Sequence, residues 1–144
     1  MSFLSIEPLL IDRLTERVKS ARQVRSIADL DELSKGSEAL PAVFVLPDRT
    51  SLKSVDGSLK KAKFEEDWIV VVMVKSVRRG GNAPEALRES AGSLLVEVFK
   101  ALAGWVPAPR IDALTPITPP AMAINGGFGY FPLAFRTGFV VSAD

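Results

Sequence analysis

Three groups of residues in this chain have types that could do chemistry. Glu65-Glu66-Asp67 could hold a hard cation or supply a general acid and base, provided that two carboxylates converged. Adjacent residues of a strand point to opposite faces, so a ligand set or a catalytic pair would need help from elsewhere, and solvated charge is the better reading. Gly126-Gly127-Phe128-Gly129 has the glycine content of a phosphate cradle. It precedes a strand, has no helix after it and lacks a Lys-Ser/Thr pair, so it reads as a turn. The third group is basic: Arg49, Lys53, Lys60, Lys61 and Lys63, followed by Arg78 and Arg79. Such cations could meet a phosphate backbone or an acidic protein surface, although no stacking aromatics are interleaved with them.

Composition narrows the field. The chain has no histidine and no cysteine. That removes the usual zinc sites, Ser-His and Cys-His catalysis, disulfides, and the side chain most used as a base near neutral pH. We therefore expect no catalytic residues, no cofactor and no metal. With 18 basic and 17 acidic residues, the net charge of +1 demands neither nucleic acid nor an anionic membrane as partner. The N-terminus lacks the basic and apolar regions of a secretory signal. Residues 68–74, the longest uncharged apolar run, are too few to cross a bilayer as a helix. A length of 144 residues predicts a single domain, 1–144, that buries roughly two thirds of its unfolded surface.

The elements that must position these groups follow from periodicity. Ser5 can cap a first helix, in which Ile6, Leu10, Leu14 and Val18 form one apolar stripe. Ser26-Ile27-Ala28-Asp29 predicts a second, shorter helix, with Ile27, Leu30 and Leu33 inward and Gly36 as its stop. Residues 42–46 read as a buried strand closed by Pro47-Asp48, and residues 64–75 as a second strand whose acidic start projects beyond the sheet. Residues 48–63 between them read as a long hairpin arm or mobile loop. Asn82 and Glu85 box the start of a helix over residues 84–102, whose stripe is Leu87, Ala91, Leu94, Leu95, Val98 and Leu102. Gly104 stops it, and Trp105 folds back on its last turn. Residues 110–114 are expected as an edge strand and 115–125 as a Pro-rich surface connection. Phe131, Leu133, Phe135, Phe139 and Val141 share one face of a terminal strand, and Pro132 marks its start as an edge or bulge. Residues 68–74 are apolar on both faces, and too little amphipathic material remains to cover both. The second face is therefore expected to meet a neighbouring copy.

The order of Leu40-Pro41-Ala42-Val43-Phe44-Val45, Trp68-Ile69-Val70-Val71-Val72, Leu102-Ala103-Gly104-Trp105-Val106-Pro107 and Gly129-Tyr130-Phe131-Pro132-Leu133-Ala134-Phe135 resembles the tail terminator, or tail completion, proteins of long-tailed bacteriophages. The resemblance implies an α+β fold, with a mixed, mainly antiparallel sheet and helices packed on one face, and no catalytic residues. It implies a structural virion protein at the head-proximal end of the tail, assembled in the host cytoplasm. There a hexameric ring of copies caps the tail tube, stops its polymerisation and docks the head connector, with DNA passing through the lumen unread and no membrane involved. The expected interface comprises Arg49, Lys53, Lys60, Lys61, Lys63, Trp68, Val70, Val72, Val74, Arg78 and Arg79. Alternatives are a neck or sheath-end protein of the same domain type, and a small nucleic-acid-binding module using the basic 49–63 arm. An enzyme using Glu65, Glu66 or Asp67 is the weakest reading.

Overall fold

The computed structural model describes residues 2–28, 39–75 and 83–143. In chain order the elements are α1 (Glu7–Arg17), β1 (Gln23–Ser26), β2 (Ala42–Val55), β3 (Lys61–Lys75), α2 (Ala83–Leu102), β4 (Thr115–Ile117), β5 (Ala123–Asn125) and β6 (Phe128–Ser142). The strands form one sheet in the order β1-β2-β3-β6-β4, with β5 also paired to β6. Among the described strands only β1 and β2 run parallel. The fold is therefore α+β, with a mixed and mainly antiparallel sheet, as expected.

Both helices lie on one face. The stripe Ile6, Leu10, Leu14 and Val18 is buried, and α2 contributes Leu87, Ala91, Leu94, Val98 and Leu102. These pack on Val43, Val45, Trp68, Val70, Val72, Val74, Phe131 and Phe135, the side chains of alternate strand positions. No side chain caps α1, whose N-cap is Ile6, so the expected Ser5 cap is not formed. Gly104 at φ +76° closes α2 from the left-handed region, where glycine carries no Cβ penalty. Trp105 folds back, half-buried, against the core, and the Arg13 guanidinium lies 5.1 Å from its ring centre. Arg13 Nε also donates to the Ala101 carbonyl at 2.9 Å, tying α1 to the carbonyl end of α2.

The opposite face corrects the sequence reading. Ile69, Val71 and Met73 are 4, 2 and 0% exposed in the single chain. They form a second cluster with Ile27, Ala42, Phe44 and Leu46, against which Leu40, Phe128 and Tyr130 pack. The central strand is thus covered on both faces from within one copy, and a neighbour is not needed to complete it. Part of the reason is β1. Gln23–Ser26, where a second helix was expected to begin, is a strand that brings Ile27 onto this face. The rest of that expected helix lies outside the described residues, as does Asn82.

Two prolines show how the sheet tolerates residues without an amide donor. The carbonyls of Pro41 and Val45 accept from Arg22 and Ile27 on the β1 side, at 2.7 and 3.0 Å. By alternation, Pro47 turns its nitrogen to the same edge, beyond the last β1 pair among the described residues, so β2 runs on to Val55 through a bulge instead of ending there. On β6, Gly138 accepts from Asp112 N at 2.9 Å on the side away from β3, and Pro132 has the same parity. It falls between the stretches paired by β5 and β4, where no donor is required. β4 and β5 are short edge strands inside the Pro-rich surface connection, whereas residues 110–114, expected as an edge strand, are not a strand. Gly126 and Gly127, both with positive φ, make the two-residue turn between β5 and β6.

Candidate functional site

Beyond the helices the sheet continues as an arm. β2 and β3 remain paired from Arg49↔Asp67 to Val55↔Ala62, with a second register shift between Leu52 and Ser54. β6 joins as a third strand, from Asp67↔Arg136 to Lys61↔Ser142. The sequence marks the hairpin by its turn residues. It does not mark the third strand, because that pairing spans half the chain.

The arm has two unlike faces. On the helix side, Leu52, Phe64 and Phe139 stand in one cross-strand row. Phe3 sits edge-on to Phe64 and Phe139, with ring centres 5.0 and 5.4 Å away. At the arm's base the next residue, Leu4, at φ +60°, donates its amide to Glu66 Oε2 at 2.8 Å. Trp68 Nε1 makes a longer 3.4 Å contact to Oε1 of the same carboxylate. Glu66 is only 1% exposed. The acidic start of β3 therefore does not project into solvent as expected: a buried carboxylate needs hydrogen-bond donors, and the N-terminal segment supplies one.

The other face carries ion pairs. Arg136 grips Asp67 through two bonds, Nε–Oδ1 at 2.7 Å and Nη2–Oδ2 at 3.0 Å. Hydrogen bonding to Asp67, and then its charge, hold the guanidinium above its ordinary pKa. Lys53 lies 3.6 Å from Glu65 and Lys63 lies 2.6 Å from Asp112. Two of the expected basic contacts are thus engaged within the chain. Gly138 sits where a Cβ would fall 2.8 Å from Asp112 Oδ2, 3.0 Å from Lys63 Cε and 3.1 Å from the Phe64 carbonyl oxygen. Gly138→Ala is accordingly expected to break the Lys63–Asp112 pair and to cost about 1–3 kcal/mol in chemical denaturation. An unchanged midpoint would show that the strand shifts freely here.

At the tip, Asp56 Oδ1 accepts from Ser58 N at 3.1 Å and from Ser58 Oγ at 2.6 Å, and Leu59 N donates to Asp56 O at 3.1 Å. These bonds define the turn. The Ser58 hydroxyl bond is the main reason that the Asp56 carboxyl lies below its ordinary pKa. Leu59 stands on this turn at φ +63° and is 82% exposed, with Lys60 and Lys61 beside it.

The expected interface residues therefore separate. Arg49, Lys53, Lys60, Lys61 and Lys63 lie on the arm. Trp68, Val70, Val72 and Val74 are core side chains under the helices, at most 2% exposed, so none presents a surface to a neighbour. Arg78 and Arg79 lie outside the described residues. The residues that sequence reasoning missed are Phe3, Leu4 and Leu59; an apolar residue inside the basic turn was the available signal for Leu59. Glu65, Glu66 and Asp67 turn to alternate faces with separate partners, so they do not form one acid–base set. Among the described residues no group of acidic side chains could hold a metal ion, and no helix is long and apolar enough to cross a membrane.

A family model described as phage tail terminator protein matches residues 1–143. No curated protein matches the chain.

Proposed function

The chain belongs to the phage tail terminator family, a family of structural tail proteins, and from that premise we propose that it caps the tail tube, stops its polymerisation and offers the head connector a docking surface. It acts as a single domain, in a hexameric ring of copies at the head-proximal end of the virion tail, after assembly in the host cytoplasm. DNA passes through the lumen without being read. The observation that supports this reading is the three-stranded arm, a regular projection that carries no convergent reactive groups. Its rigidity suits docking of one protein against another. Pairing of Lys53 with Glu65 and of Lys63 with Asp112 leaves fewer cations for phosphate than the sequence suggests, which favours protein contacts over the nucleic-acid reading.

Tail assembly in the presence and absence of the protein tests the reading. Electron microscopy is expected to show tubes of uncontrolled length, without heads, when it is omitted. Readdition should yield tubes of uniform length that join heads. An unchanged length distribution in its absence would overturn the capping role.

A further inference from the structure

Among the described residues Leu59 is the most exposed of the large apolar side chains, at 82%, and it is carried on a hydrogen-bonded turn instead of a loose loop. Lys61 beside it makes no close ion pair among the described residues, although its charge acts on Asp56 of the same turn, and Lys60 adds a second cation there. Near the base of the arm, against α1, lies a groove of about 480 Å³, lined among the described residues by Leu4, Glu7, Pro8, Ile11, Asp12 and Ser26. Its walls are apolar at Leu4, Pro8 and Ile11. Its two carboxylates, Glu7 and Asp12, also lack an ion-pair partner among the described residues. One surface is thus an apolar knob with positive charge, and the other is an apolar hollow with negative charge.

We propose that the arm tip of one copy seats in the α1 groove of the next, with Leu59 against Leu4, Pro8 and Ile11 and with Lys61 toward Glu7 and Asp12. The two surfaces cannot meet within one copy. Leu4 is bonded to Glu66, and the ladder continues from there to the tip, which stands on the order of 20 Å farther out at strand rise. Bending it back would require breaking that ladder. Knob and hollow are different patches of the same molecule, so the contact is heterologous, and repeating it generates a closed ring or an open filament. Complementary charge fixes register and suppresses wrong partners. The proposal rests on the self-assembly reading above and names the surfaces that carry it.

The test uses the full chain with tail tubes, with assembly followed by light scattering. Leu59→Asp, at an exposed position, is expected to leave thermal unfolding unchanged and to weaken association at least about tenfold. Lys61→Glu and Asp12→Lys are each expected to weaken it, and their combination to restore it, because the pair is then reversed. The chain has no cysteine, so Leu59→Cys combined with Pro8→Cys should give a ladder of cross-linked oligomers on mild oxidation. If copies assemble but the charge reversal rescues nothing and no ladder forms, this docking is overturned while the ring reading stands. Loss of tube binding with ring formation intact in Leu59→Asp would also overturn it, assigning the tip to the tube. Failure of the unaltered chain to associate at all, with tubes present, would overturn the ring reading and this one with it.

Discussion

Trp68→Ala is expected to lower the free energy of unfolding by about 3–5 kcal/mol, as truncation of a buried aromatic ring does when its surroundings cannot collapse. The indole is 0% exposed and packs among the α1 and α2 stripes, on the strand that contributes to both core clusters. Its loss opens a cavity and also deletes the Trp68 Nε1 contact to Glu66. That carboxylate would keep the Leu4 amide, so the N-terminal segment should stay in place. Substitution grades the two effects: Trp68→Phe keeps a six-membered ring in the cavity while losing the N–H and part of the indole volume, and it should cost clearly less. Denaturant midpoints, with unchanged slopes, are the measurement. A cost under about 1 kcal/mol for the alanine variant would show that the helices close over the gap. Well below its melting temperature the variant should still associate, because Trp68 is a core residue and touches no neighbour.

The origin of this core is visible in the chain itself. The stripes of α1 and α2 repeat at helical period, and that period survives any tertiary setting, so those helices and their buried faces were readable. The failures share one physical cause. Glu66 and Asp67 look like solvated charge because their partners are remote, Leu4 by 62 positions and Arg136 by 69. The sequence ends β2 at Pro47 because the edge that its nitrogen faces is decided by the pairing with β1, a contact between separate segments. β1 itself carries a helix-capping pattern at Ser26, and a four-residue strand has too little propensity to contradict it. The short strands β4 and β5 exist because β6 offers a free edge, which nothing in their own residues announces. Local periodicity therefore located the helices and the hairpin, whereas the site depended on contacts between distant segments.

The Asp67–Arg136 pair marks the place where the sheet leaves the helices and becomes the arm, since Asp67 is the register partner of both Arg49 and Arg136. The two side chains differ in exposure, 6% for Asp67 and 40% for Arg136. Removing either is therefore not equivalent. Arg136→Ala leaves a buried carboxylate without its two donors and is expected to cost about 2–3 kcal/mol, below the range for fully buried pairs because water can reach part of the gap. Asp67→Ala leaves a cation that can turn to solvent, and should cost less. The double variant leaves neither group stranded, so it should be more stable than the sum of the single losses predicts, with a coupling of at least about 1 kcal/mol. Hydrogen exchange adds a spatial reading. In Arg136→Ala the amides of residues 50–64 should exchange faster, while those of β3 beneath the helices keep their protection. Strict additivity of the two substitutions, or equal loss of protection across the whole sheet, would mean that the pair does not anchor the arm. The docking of its tip would then have to be explained without a rigid lever.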